Sequence, residues 1–243
     1  MFYLVIESIC PTRRRGGRWS RMIERPDNLT DLVFAEIRDR IVTASLPPGS
    51  PVSEATLAKE LTVSKTPVRE ALLRMRRIGL VEPTSRGLRV TLASVRSVRQ
   101  AFEYRAALES QAATYATRHA TGEQLDTVAY WASQSLRCAQ GSDPAGFRQA
   151  DQQFHEAAAK ASGNEYMLLA IEDAFVLTVA LRQRDVSLVR DFIPDALEHL
   201  EIAEALRARD SAGASESLAR HALRIMDQLL DAMQRPDAAV SAG

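Results

Sequence analysis

Apolar residues return every fourth position at Leu29, Val33, Ile37 and Ile41, with Asp31, Arg38 and Asp39 between them. That spacing predicts an amphipathic helix. Leu46-Pro47-Pro48-Gly49 then forces a turn. Ser53 is placed to cap a short helix through Leu57 to Glu60, and Thr62-Val63 breaks it. Ser64 caps a third helix, with Pro67 in its first turn, where the missing N–H costs nothing. Val68, Ala71, Leu72, Met75 and Ile78 give that helix a buried face, and Gly79 closes it. The period then changes from helical to alternating. Leu80 to Pro83, a turn over Thr84 to Gly87, and Leu88 to Leu92 read as two short strands around a tight turn. Three helices followed by a hairpin predict a winged helix-turn-helix over residues 28–92.

Beyond Ala93 every patterned segment is helical. Ser94 precedes a long helix carrying Val95, Val98, Phe102, Leu108, Ala112, Ala113 and Ala116. Gly122 separates it from a helix over Glu123 to Ala139. Asp143 caps a further helix from Pro144 to Ala161, and Ser162-Gly163-Asn164 ends that one. Helices are also expected over Glu165 to Arg184, near Val186 to Phe192, over Pro194 to Arg209 and over Ala214 to Met233. The expected fold is mainly α: a winged helix-turn-helix plus an all-helical bundle of six or seven helices over residues 93–233. The bundle is long enough for a core of its own. Residues 1–27 read as a disordered arm or a misassigned start, with Met22 as the alternative initiator, and residues 234–243 as a flexible tail.

Composition narrows the class. Of 243 residues, 46% are hydrophobic and 26% charged, which excludes a disordered or fibrous chain. No run of 18 apolar residues occurs, so no membrane span is expected. Met1 to Cys10 is apolar and Thr12 to Arg21 basic, the reverse of a secretory signal. Two cysteines, Cys10 and Cys138, are too few for a disulfide framework and fit a reducing cytoplasm. The formal net charge of zero hides a split. Met1 to Leu92 carries 16 Lys/Arg against 10 Asp/Glu, and the remainder 15 against 21. Such a split suggests that the first half meets a polyanion. Much of it comes from Arg13, Arg14, Arg15, Arg18 and Arg21, so it is weak support alone.

The first turns of the third helix present Ser64, Lys65, Thr66 and Arg69, the region that enters the major groove in helix-turn-helix docking. Arg69 suits guanine O6 and N7, and Ser64, Lys65 and Thr66 suit bases or phosphates. Arg86 and Gly87 at the wing tip place a cation where the backbone can approach a minor groove or phosphate. Any one of these cations alone is ordinarily solvated surface; the ordered combination carries the reading. Leu46-Pro47-Pro48-Gly49, Leu57-Ala58-Lys59-Glu60-Leu61, Val63 to Leu72 and Gly79-Leu80-Val81 together resemble the DNA-binding domain of the GntR superfamily of bacterial transcription regulators. The resemblance implies a homodimer on double-stranded operator DNA. Where some members carry a base-contacting arginine in the second helix, this chain has Ala55 and Thr56, which puts contact from that helix in doubt.

The chain has four histidines: His119, His155, His199 and His221. Asp151 and His155 are four apart and share a helix face. His199 and His221 lie on the last two helices at comparable distances from the intervening turn, so an antiparallel pairing brings them level. One carboxylate and three imidazoles from facing helices suit a divalent metal with one or two positions open. On spacing alone, surface or core histidines are the commoner explanation. Tyr104-Arg105-Ala106-Ala107-Leu108-Glu109, Asp151-Gln152-Gln153-Phe154-His155, Ser162-Gly163-Asn164, Glu198-His199 and Arg220-His221 are similar to the FCD effector domain of the FadR group.

That resemblance implies that Asp151, His155, His199 and His221 hold a divalent ion, with zinc first and nickel or manganese as alternatives. It also implies that Arg105 pairs with the carboxylate of a small effector. The plainer alternative for Arg105 is a surface ion pair with Glu109, four residues on. Arg182, Arg184 and Asn164 are further candidates for lining the pocket, and His119 reads as a cap or surface residue. Members whose effector is an acyl-coenzyme A lack the full metal set. The expectation is a cytoplasmic, dimeric transcription regulator, a repressor, controlled by a small organic acid beside the metal. Its rivals are a direct metal sensor and a metalloenzyme, and the sequence pairs no further base or nucleophile with the ligand set.

Overall fold

The computed structural model describes residues 28–185 and 191–234. The expectations for the arm over residues 1–27, for most of the short helix near Val186 and for the tail beyond Gln234 lie outside them.

The first unit runs α1 (Asn28–Val42), β1 (Pro51–Val52), α2 (Glu54–Glu60), α3 (Lys65–Ile78), β2 (Val81–Thr84) and β3 (Gly87–Val90). Ser53 caps α2 through its side chain, which accepts from the Thr56 N–H at 3.4 Å. Ser64 occupies the cap position of α3 but makes no side-chain cap bond, contrary to expectation. Gly79 closes α3 at φ 98°, and the Leu80 N–H reaches back to Met75 O at 2.9 Å, satisfying a terminal carbonyl. The sheet has three strands in the order β1-β3-β2, all antiparallel, with Val52 opposite Leu88 and Glu82 opposite Arg89.

Two expectations are corrected here. β1 was not foreseen, because two residues after a proline cluster carry no alternation, and its partner lies almost forty residues on. β3 ends at Val90 rather than Leu92: Leu92 is 48% exposed and packs beside Gly49. Ile37, Ile41, Val68, Leu72, Met75, Leu80 and Val90 form the core of this unit.

The bundle comprises α4 (Val95–His119), α5 (Gly122–Gln140), α6 (Pro144–Ala161), α7 (Glu165–Asp185), α8 (Ile193–Arg207) and α9 (Ser211–Gln234). Capping boxes start α4 at Ser94 with Ser97, and α5 at Thr121 with Gln124. Asp143 caps α6, accepting from the Gly146 N–H at 2.9 Å. α9 begins three residues earlier than its apolar pattern suggests. Asp210 accepts from the Gly213 N–H at 3.0 Å, so the glycine read as a turn lies in the first turn of the helix. α4 runs along α9, α5 packs against α6 and α8, and Phe154, Ile202, Leu206 and Leu218 lie at the centre of one apolar cluster.

α7 belongs to both units. Ala180, with Val176 and Leu177 beside it, enters the core of the winged helix. Asp173 of α7 accepts from Arg77 at 3.0 Å and Arg74 at 3.4 Å, both on α3, and the Arg74 guanidinium lies 4.1 Å from the centre of the Phe34 ring. α3 is thereby fastened to the bundle through α7.

Candidate metal and effector site

α6, α8 and α9 bring Asp151, His155, His199 and His221 together, and one ligand atom from each lies within 4.8 Å of all the others. The four side chains are between 0% and 4% exposed, which removes surface histidines as an explanation. Asp151 Oδ1 lies 3.4 Å from His199 Nε2 and 3.6 Å from His155 Nε2.

The outer partners fix the tautomers. Ser135 spends its only proton on Ala132 O at 2.7 Å, so at its 3.0 Å contact His199 Nδ1 must be the donor. Glu198 accepts from His221 Nδ1 at 2.6 Å. Arg105 Nη2 lies 2.9 Å from His155 Nε2, and a guanidinium only donates, so that nitrogen accepts. Each imidazole therefore carries its proton on Nδ1 and turns an Nε2 lone pair toward the cluster. His199 Nε2 and His221 Nε2 have no hydrogen-bond partner. Buried polar atoms are nearly always satisfied. Lone pairs facing a carboxylate in a dry interior repel one another unless a cation lies between them. The donor set, nitrogen with one oxygen, suits zinc, nickel or manganese.

The electrostatics agree. Burial pushes His221 down to about 4 and lowers His199 as well, keeping both neutral and able to ligate. Burial works against ionisation of Asp151, and the Arg182 guanidinium, 3.7 Å away, is the charged partner that favours its carboxylate. Glu109 and Glu198 behave similarly: burial opposes ionisation, Arg105 and His155 hold Glu109 at about 2, and His221 and Arg224 hold Glu198 at about 2. For His155, burial lowers the pKa, and Glu109 together with Asp151 raises it above its ordinary value. The Arg105 N–H aimed at Nε2 nevertheless requires that nitrogen to be unprotonated, and the geometry decides.

Arg105 is 2% exposed, so a surface ion pair is ruled out, although the partner is the expected one. Its Nε donates to Glu109 Oε1 at 3.0 Å and its Nη1 to Thr178 Oγ1 at 3.1 Å, and the guanidinium lies 4.5 Å from the centre of the Phe175 ring. Glu109 also sits 3.0 Å from His155 Nδ1, off the hydrogen-bonding direction. Arg182 reaches Asp151, whereas Asn164 accepts from the Met167 N–H at 3.1 Å and serves to start α7. The Arg184 side chain lies outside the described residues. His119 is exposed at the end of α4, its ring 6.2 Å from that of Tyr115. Sequence reading missed Ser135, Phe175, Thr178 and Arg224 as supports of the site, named Glu198 only as part of a motif, and named Glu109 as the i,i+4 partner of Arg105. Ser135, Thr178 and Phe175 carry no spacing signal, because each acts across helices.

A cavity of about 170 Å³ connects His155, Phe175 and Ile171 with Phe34, Arg38 and Arg74 of the first unit. A larger cleft of about 1110 Å³ lies between the end of α3, the hairpin, α4 and α7, away from the histidines.

At the other end of the molecule, Ser64, Lys65, Thr66 and Arg69 are all exposed around the start of α3. Arg86 and Gly87 are exposed at the tip of the β2–β3 turn, with Gly87 at φ 129°. Arg69 is already oriented by Glu54 of α2, which accepts from its Nε at 3.1 Å and its Nη2 at 3.0 Å. Glu54 was not anticipated from the sequence.

Residues 29–87 match the profile of bacterial regulatory proteins of the gntR family, and residues 100–224 match the FCD domain. A probable D-xylose utilization operon transcriptional repressor from Paenarthrobacter nicotinovorans is 31% identical over 86% of this chain and 94% of its own length. The HTH-type transcriptional repressor RspR of Escherichia coli K12 is 26% identical over 81% of this chain and 87% of its own. Among solved structures, E. coli McbR/YncC superimposes with a TM-score of 0.71 at 20% identity, covering 84% of this chain and 97% of its own. A GntR-type regulator from Rhodococcus sp. RHA1 gives 0.65 at 22% identity, over 84% and 99%.

Proposed function

The chain belongs to the gntR family of bacterial regulatory proteins, with an FCD domain after its winged helix, and from that premise we propose that it is a repressor whose hold on operator DNA is set by a small organic acid bound beside a divalent metal. Members of this family are transcription regulators and not enzymes; the helix-turn-helix implies DNA binding and the FCD domain a small-molecule effector. In the proposed reading Asp151, His155, His199 and His221 hold the ion, zinc first, and Arg105 takes the acid's carboxylate. Ser64, Lys65, Thr66, Arg69, Arg86 and Gly87 meet the DNA. The working form is a homodimer in the cytoplasm, with domains at residues 28–92 and 93–233. No helix among the described residues is long and apolar enough to cross a membrane.

The observation that carries the reading is the buried cluster in which Asp151, His155, His199 and His221 each bring a ligand atom within 4.8 Å of the others, with a buried guanidinium on one of the imidazoles. When bound, a divalent ion supplies a positive docking point for an acid oxygen. The chain's own residues do the rest. Glu198 and Ser135 hold two imidazoles in their ligating tautomer. Phe175, Thr178 and Glu109 position Arg105, and burial excludes water. Arg105 lies against α7, which itself carries Arg182 and whose other side grips α3 through Asp173. An acid that reorients Arg105 thereby shifts the balance between two settings of α7, and operator affinity follows.

Elemental analysis of gently purified protein tests the metal, with close to one divalent ion per chain expected. A thermal-shift screen of sugar acids, hydroxy acids and dicarboxylates against the metal-loaded protein tests the effector. A DNA response to metal alone, unchanged by any acid, would favour the direct metal sensor.

A further inference from the structure

His155 has one Nε2 lone pair and two claimants for it. Nε2 lies 3.6 Å from Asp151 Oδ1, and Arg105 Nη2 donates to the same atom at 2.9 Å. A lone pair that accepts an N–H cannot also ligate a cation. The guanidinium is not passing through. Glu109 and Thr178 anchor its other two nitrogens, and Phe175 lies against its face.

Resting on the metal reading above, we infer that Arg105 is a built-in competitor of the metal: an ion gains the fourth ligand, His155, only by breaking the Arg105–His155 hydrogen bond. The arginine thereby holds metal affinity below what one carboxylate and three pre-set imidazoles would give. Breaking the bond releases Nη2 while Nε and Nη1 stay fixed by Glu109 and Thr178. A donor then stands in a dry pocket beside a second positive charge. An anion between them satisfies both at once. Metal entry therefore precedes acid capture, and the two bindings reinforce each other. Arg105 is a positioning residue for the metal before it is a contact for the acid.

The test is Zn²⁺ affinity of the full chain at constant neutral pH, by competition with a chromophoric chelator, for wild type, Arg105→Met and Arg105→Lys. Removing the donor should tighten Zn²⁺ binding by about tenfold, the scale at which groups just outside a metal's ligands act. Lysine, which cannot span Glu109 and His155 together, should give an intermediate gain. A second readout needs no variant affinity: the Arg105 side-chain ¹⁵N signals, assigned by their loss in Arg105→Lys, should shift on adding Zn²⁺ to wild type. This decides the matter if Arg105→Met fails to fold by circular dichroism. Equal or weaker Zn²⁺ binding in the variants, or Arg105 signals unmoved by bound Zn²⁺, overturns the competitor role while the metal site stands. Absence of Zn²⁺ uptake in all three overturns the metal reading, and the competitor role with it.

Discussion

At the scale of single residues, the site is governed by atoms that face one another rather than by residue types. His221 is buried beside His199 and His155 with Glu198 on one nitrogen, and its neutral form is favoured down to about pH 4 against an ordinary value of 6.5. The sign follows from linkage. Above 6.5 neither folded nor unfolded chain protonates this imidazole. Between 6.5 and 4 only the unfolded chain does, so stability falls with falling pH across that window and levels off below it. For metal-free protein the loss from His221 is on the order of 3 kcal/mol. Thermal unfolding of EDTA-treated protein from pH 7 to 4 should show this slope, and His221→Gln should flatten it. A variant with the wild-type slope would assign the dependence elsewhere. On the DNA side, Arg69→Ala should abolish specific operator binding with the fold intact, costing about 1–3 kcal/mol per half-site. Glu54→Ala should weaken binding less, because it only frees Arg69 from the carboxylate that orients it. Footprints unchanged by Arg69→Ala would remove that residue from base reading.

At the scale of elements, α7 has the most to explain. Its Phe175, Thr178 and Arg182 face the histidine cluster, and its Asp173, Val176 and Ala180 face the winged helix. Asp173→Ala removes two partly exposed ion pairs to α3, each worth about 0–1 kcal/mol, so stability should change little. Metal content should not change at all. What should change is the response: effector should release operator DNA less completely, because α3 has lost its polar hold on α7. Fluorescence anisotropy with labelled operator, with and without effector, measures this, and a wild-type response would move the coupling to the apolar contacts of Val176 and Leu177. Nothing in the periodicity of α7 foretells this double duty, since a helix buried on several sides has no single apolar stripe.

At the scale of the whole molecule, the proposed dimer predicts a short palindromic operator, and affinity that falls steeply with salt as Lys and Arg displace counterions from phosphates. Linkage predicts that operator-bound protein binds its acid more weakly, by the factor through which the acid weakens operator binding. Calorimetry of the acid with and without operator compares the two directly, and equal affinities would mean that the acid is not the signal. The sequence by itself determined the helices and the wing, and marked Asp151, His155, His199 and His221 as candidate ligands through a family resemblance. The elements rest on local periods and on caps such as Ser53, Asp143 and Gly79, all of which operate within a few residues of chain. Only the tertiary structure decided the third strand, since β1 exists by pairing with Leu88 and Arg89 far along the chain. It also decided the tautomers set by Ser135 and Glu198, the burial of Arg105 against His155, and the attachment of α3 to the bundle through Asp173. Each is a contact between residues 23 to about 100 positions apart, and no local pattern encodes which side chains a fold will bring face to face.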